Sequence, residues 1–130
     1  MRELFVLDEG VPIFAQIAGL LSDEIAEGTL PEGERVPSTN ELAAYYRINP
    51  ATAAKGISVL IDDGLLEKRR GIGMFVAAGA RTRLLAERRK QFAERYVKPL
   101  VAEASRLGIE GDELVALISS SSHAQEATRP

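Results

Sequence analysis

Two short helical patterns separated by three or four residues, followed by two short apolar runs around a basic glycine-containing turn, predict a mainly α fold with a small β component. The expected architecture is α+β: a three-helix winged helix-turn-helix with a two-stranded wing, then a two-helix C-terminal region. Three observations carry it. "STNELAAYY" opens on a capping box, "NPATAAKGISVLIDDG" restarts a helix on Asn-Pro, and "LLEKRRGIGMFVA" has the length and glycines of a hairpin.

The first helix is expected over residues 12–27. Pro12 suits its first position, Ile13, Ile17, Leu20, Leu21 and Ile25 share one stripe, and Gly28 suits its end. "TLPEGERVP" reads as a loop punctuated by Pro31 and Gly33, with Pro37 delaying the next helix. That helix is expected over 39–46, with the Ser38 hydroxyl and the Glu41 carboxylate capping each other's amides.

"RINP" breaks the chain, and Asn49 as N-cap with Pro50 as first residue starts the third helix. Ala53, Ile57, Leu60 and Ile61 fall on its apolar face. Ala51, Thr52, Lys55, Ser58 and Asp62 fall elsewhere, and Gly64 ends it. The hairpin follows.

From residue 80 to 107 a helical pattern returns, with Leu85, Phe92, Tyr96, Leu100, Ala104 and Leu107 as a seam. Pro99 within it predicts a kink or split near residues 95–99. After Gly108, "GDELVALIS" reads as a final short helix with Leu114, Leu117 and Ile118 apolar. The Ser-rich stretch after it has no periodicity. Residues 1–78 thus form the expected winged domain, 79–118 a helical region, and 119–130 a disordered tail.

A chain of 130 residues, 45% of them hydrophobic, suffices for one ordinary domain or a small domain with an appendage. The absence of cysteine excludes disulfides and thiolate chemistry, and suggests a reducing, intracellular compartment. The one histidine, His123, lies in the polar tail, so neither a metal site nor a catalytic constellation is expected, and no cofactor. No apolar run approaches a membrane span and "MRELFVLDEG" lacks a signal-peptide pattern, so the expected location is cytoplasmic. The net charge is −3, yet residues 81–106 carry eight basic and three acidic groups, so global charge decides little about partners.

The physical case for a double-stranded DNA partner rests on two places. The third helix is expected to present free amides and a partial positive charge at its N-terminus, beside Thr52 and Lys55, with Ala51 and Ala54 small enough to approach a groove floor. Lys68, Arg69 and Arg70 put cations near the hairpin tip, where Gly71 and Gly73 leave room for close approach. Taken alone, "RRGIGMFV" is more ordinarily a solvated turn. A phosphate loop is disfavoured because no helix follows it.

The segments "PIFAQI", "GTLPEGERVPSTNELA" and "INPATAAKGISVLIDDGLLEKRRGIGMFV", with their spacing, resemble the winged helix of the GntR family of bacterial transcription regulators. The short C-terminal region and "RLGIEGDELVALI" are most similar to the YtrA-type subfamily. The resemblance implies a homodimeric repressor at a pseudo-palindromic operator. It implies DNA contacts from Ser38, Thr39 and Asn40, from Pro50, Ala51, Thr52 and Lys55, and from Arg69, Arg70, Gly71 and Gly73. It also implies dimerisation through the C-terminal helices, for which the apolar candidates are Leu85, Phe92, Tyr96, Leu100, Leu107, Leu114 and Leu117. A small-molecule effector is compatible with that subfamily, though nothing here specifies its chemistry. Asn40 stands where many members carry arginine. The rival reading is a winged-helix module that binds protein and not DNA.

Overall fold

The computed structural model describes residues 10–127. The readings of residues 1–9 and 128–130 lie outside it. The chain divides into two compact units between Glu87 and Arg88.

In the first unit, α1 spans Ile13–Glu27, α2 Thr39–Tyr46 and α3 Pro50–Asp62; β1 (Leu66–Arg69) and β2 (Gly73–Val76) pair antiparallel, and α4 begins at Ala80. Pro12 caps α1 and Gly28 ends it in a left-handed conformation. Ile17, Leu21 and Ile25 of α1 are fully buried against Val36, Leu42, Ala53, Leu60 and Val76, a core that covers one face of every helix of the motif. Each such large aliphatic contributes about 1.5–3 kcal/mol on burial. The α3 helix closes on Gly64, at φ 76°, with Leu65 N–H donating to the Leu60 carbonyl (2.9 Å) and Gly64 N–H to that of Ile61 (3.0 Å). This is a Schellman ending.

The wing is better supported than a bare hairpin. Its register runs Leu66↔Val76, Glu67↔Phe75, Lys68↔Met74 and Arg69↔Gly73. The segment 33–36, expected as loop, lies along the other edge of β2: Val36 N–H donates to the Met74 carbonyl and Val76 N–H to that of Glu34, each at 2.9 Å, and Arg35 bridges Phe75. No local pattern signals this pairing, because its partner is some 40 residues away.

The start of α4 (Ala80–Phe92) belongs to this unit. Ala80 is buried, Leu84 packs on the core, and Arg81 Nε donates to the Ala26 carbonyl at the end of α1 (2.9 Å). Arg83 donates to the carbonyls of Ala78 and Gly64. The compact unit therefore extends beyond residue 78.

In the second unit, α4 runs into a π-helical segment, Ala93–Val97, then α5 (Lys98–Arg106) and α6 (Gly111–Ala127). The kink or split expected near residues 95–99 takes the form of this π-helical interruption of the α-helix, not a break in the chain's helical course. Pro99 occupies the first turn of α5, where its missing N–H costs little, and the wider turn before it absorbs the mismatch, with Lys98 N–H reaching the Ala93 carbonyl. Gly108, at φ 72°, turns the chain, and Ile109 N–H donates to the Ala104 carbonyl (2.9 Å). The expected tail also differs. The α6 helix continues through the serines to Ala127. Asp112 and Glu113 favour its N-terminus electrostatically, and serine is only moderately unfavourable within a helix.

Candidate nucleic-acid interface

Local chemistry positions each part of the first unit's polar face. At α2, the Ser38 Oγ accepts from Glu41 N–H and the Glu41 Oε1 accepts from Ser38 N–H, both at 3.1 Å. The Glu41 carboxyl is held below its ordinary range first by the Ser38 backbone N–H that it accepts, then by the neighbouring Ser38 hydroxyl, with the Arg35 charge assisting. Ser38 and Thr39 are half-buried and Asn40 is exposed.

The start of α3 differs from expectation. Pro50 has no N–H, Ala51 N–H donates to Asn49 Oδ1 (2.8 Å), and the amides of Thr52 and Ala53 donate to the Asn49 carbonyl (2.9 and 3.1 Å). No amide remains free there for DNA, because Asn49 takes all of them. What α3 offers is its dipole and its side chains. Lys55 is also partly committed: its Nζ sits 4.1 Å from the centre of the Phe14 ring of α1, a cation–π contact that draws it, with Thr52, toward α1.

A separate groove of about 390 Å³ joins α2, α3 and the wing. Thr39 and Asn40 line one wall, Ala54 and Ser58 the floor from α3, and Arg35 and Lys68 the wing side. The structure thus brings Ser38, Thr39, Asn40 and Gly73 together, and sets Ala51, Thr52 and Lys55 around the neighbouring surface of α3. Pro50 is exposed at the helix start. Ala54 and Lys68 lie where the sequence reading put them, toward the groove floor and in the wing. Arg35, which flanks the motif and could from sequence equally pair with a neighbouring carboxylate, joins them, as does Ser58, which was not singled out as a contact. For Ser58 the signal was present, since it follows Ala51 at a helical spacing of seven.

In the wing, Ile72 N–H donates to the Arg69 carbonyl (2.9 Å), and Gly71 adopts φ 77° within that turn. Arg69 is engaged inside the chain: it pairs with Glu67 at 2.9 Å and its guanidinium lies 4.2 Å from the Phe75 ring centre. Arg70 is exposed and makes no hydrogen bond or ion pair with any described residue. Gly73, at φ 140°, is filled from within, because a Cβ there would stand 2.9 Å from Arg35 Nε.

In the second unit, Phe92 and Tyr96 stack obliquely with ring centres 5.8 Å apart, both 57% exposed. Leu100, Leu107 and Leu117 are exposed as well, and Leu114 is half-buried. Between α5 and α6 an almost wholly apolar groove of about 310 Å³ is lined by Leu100, Leu107, Leu114 and Leu117. Leu85, half-buried, lies in the first unit. Among the described residues there is no cluster of metal-ligating side chains and no helix long and apolar enough to cross a membrane.

Residues 14–76 match the family described as bacterial regulatory proteins, gntR family. The HTH-type transcriptional repressor YtrA of Bacillus subtilis is 30% identical over 103 residues, covering 79% of this chain and 78% of that protein. The chain belongs to the GntR family. It is a DNA-binding transcription regulator by that membership, and the family's members are regulators rather than enzymes. The fold agrees along most of the length: a GntR family transcriptional regulator from Listeria monocytogenes superposes with a TM-score of 0.69 at 25% identity, over 88% of this chain and 98% of that one. The winged part alone is similar to the AraR DNA-binding domain solved in complex with operator ORX1. That match has a TM-score of 0.52 at 34% identity, over 57% of this GntR chain and 93% of that one.

Proposed function

We propose that this GntR regulator is a cytoplasmic repressor that occupies a pseudo-palindromic operator as a homodimer. The observation that carries the reading is the groove that gathers α2, the outer side of α3 and the wing around Thr39, Asn40, Ser58, Arg35 and Lys68. Small side chains on α3 admit the helix to a major groove, Asn40 supplies an amide suited to an adenine edge, and Arg70 at the wing tip supplies an uncommitted charge for phosphate.

The exposed Phe92, Tyr96, Leu100, Leu107 and Leu117 of the second unit, with the half-buried Leu114, support dimerisation, since two helices of this size enclose little core without a second copy. A symmetric pair would set its recognition helices about 34–36 Å apart, one turn of the duplex. The repressor name of the Bacillus subtilis relative supports the sign of regulation. The apolar groove between α5 and α6 suits a small hydrophobic effector if a second copy leaves it open. Selection from a randomised duplex library tests the reading: the recovered sequences should contain inverted half-sites with centres one helical turn apart, and recovery of single, unpaired half-sites would contradict it.

A further inference from the structure

Arg35 lies outside every helix of the motif, on the strand-like segment that the fold adds to β2 through Val36 N–H and the Arg35↔Phe75 bridge. Its backbone is therefore held by the sheet. Its side chain crosses the bare backbone of Gly73, whose absent Cβ would have stood 2.9 Å from Nε and 3.7 Å from Cδ. This directs the guanidinium into the groove that Thr39, Asn40, Ser58 and Lys68 also line. The side chain is exposed and forms no hydrogen bond or ion pair with any described residue. The carboxylate whose field it shares, Glu41, is already committed to the Ser38 amide.

An arginine held in place by a sheet, with an open fork and no internal acceptor, is a phosphate ligand in waiting, because a planar guanidinium engages a phosphate through two parallel hydrogen bonds. We propose that Arg35 contacts a DNA phosphate at the junction between α2 and the wing, and that Gly73 is its positioning residue. The proposal rests on the operator-binding reading above, and it changes the role of Gly73. Instead of clearing space for DNA, the glycine clears space for the arginine that meets it.

The test uses the full chain and two probes: the duplex the wild-type protein selects from a randomised library, and a mixed-sequence duplex. Affinity is measured against salt concentration for the wild type, Arg35→Ala, Arg35→Lys and Gly73→Ala. Arg35→Ala should weaken binding roughly tenfold on both probes and lower the slope of log affinity against log salt by about 0.9, the share of one phosphate. Arg35→Lys should recover the slope, and Gly73→Ala should lower it as Arg35→Ala does. If the wild type binds and Arg35→Ala keeps both affinity and slope, the proposal fails while the operator reading stands. A loss of affinity that Arg35→Lys does not restore, with a lowered thermal midpoint, assigns Arg35 to holding the wing and also overturns it. A wild-type protein that retains neither duplex overturns both.

Discussion

Gly56 of α3 lies against Phe14 of α1 so closely that a Cβ on the glycine would stand 2.9 Å from the Phe14 carbonyl oxygen and 3.4 Å from the Ile17 side chain. A mid-helix glycine ordinarily costs about 1 kcal/mol relative to alanine, and here close helix packing offsets that cost. The obstacle is backbone, which cannot rotate aside. Gly56→Ala should therefore destabilise the protein by about 1–2 kcal/mol, the overpacking cost exceeding the propensity gain. Urea denaturation of the variant checks this, and an increase in stability would show that α1 and α3 can separate freely.

Arg47 ends α2 at φ 55°, a left-handed conformation that no other non-glycine residue among those described adopts. The cost for a side chain there is about 1 kcal/mol. Arg47→Gly should stabilise by about 0.5–1 kcal/mol, less the greater freedom of glycine in the unfolded chain. A calorimetric midpoint that falls would mean the arginine side chain contributes a contact worth more than the strain.

The capping box makes stability depend on pH in a definite direction. Because the folded-state pKa of Glu41 is lowered from 4.5, its contribution is fully present above that value and is lost as pH falls through the lower, folded one. Glu41→Gln should thus be less stable than the wild type near neutrality, and the gap should close only on the acid side of 4.5. Thermal midpoints of both proteins across that range decide it. A gap that persists undiminished in acid would assign the loss to shape, not charge.

The wing's two arginines should differ. Arg69 is partly neutralised by Glu67 and stacked on Phe75, whereas Arg70 has no internal partner among the described residues. Arg70→Ala should weaken binding to a mixed-sequence duplex several-fold more than Arg69→Ala, and Glu67→Gln should strengthen it modestly by releasing Arg69. Equal losses from the two alanine variants, measured by fluorescence anisotropy, would remove the distinction.

What the sequence disclosed and what it hid follow one physical division. The capping box of Ser38 and Glu41, the Asn49–Pro50 start and the hairpin around Gly71 were legible because each is decided within a few residues. The pairing of Arg35 with Phe75, the packing of Gly56 on the Phe14 backbone and the seat of Lys55 on the Phe14 ring depend on distant partners, so no local pattern announces them. The amides at the start of α3 are a subtler case. Asn49 was legible as their cap, but a cap that succeeds also withdraws them from DNA. Serines 119–122 misled because composition speaks to a stretch alone, and here the helix begun at Gly111 carries through them.

On the reading proposed above, two copies of this winged chain hold one duplex mainly through phosphate contacts. Titration of the duplex selected by the wild-type protein, at stoichiometric concentration and repeated across a range of salt, tests it most directly. Two chains per duplex, with affinity falling steeply as salt rises, is the expected result. One chain per duplex, or an affinity indifferent to salt, would contradict it.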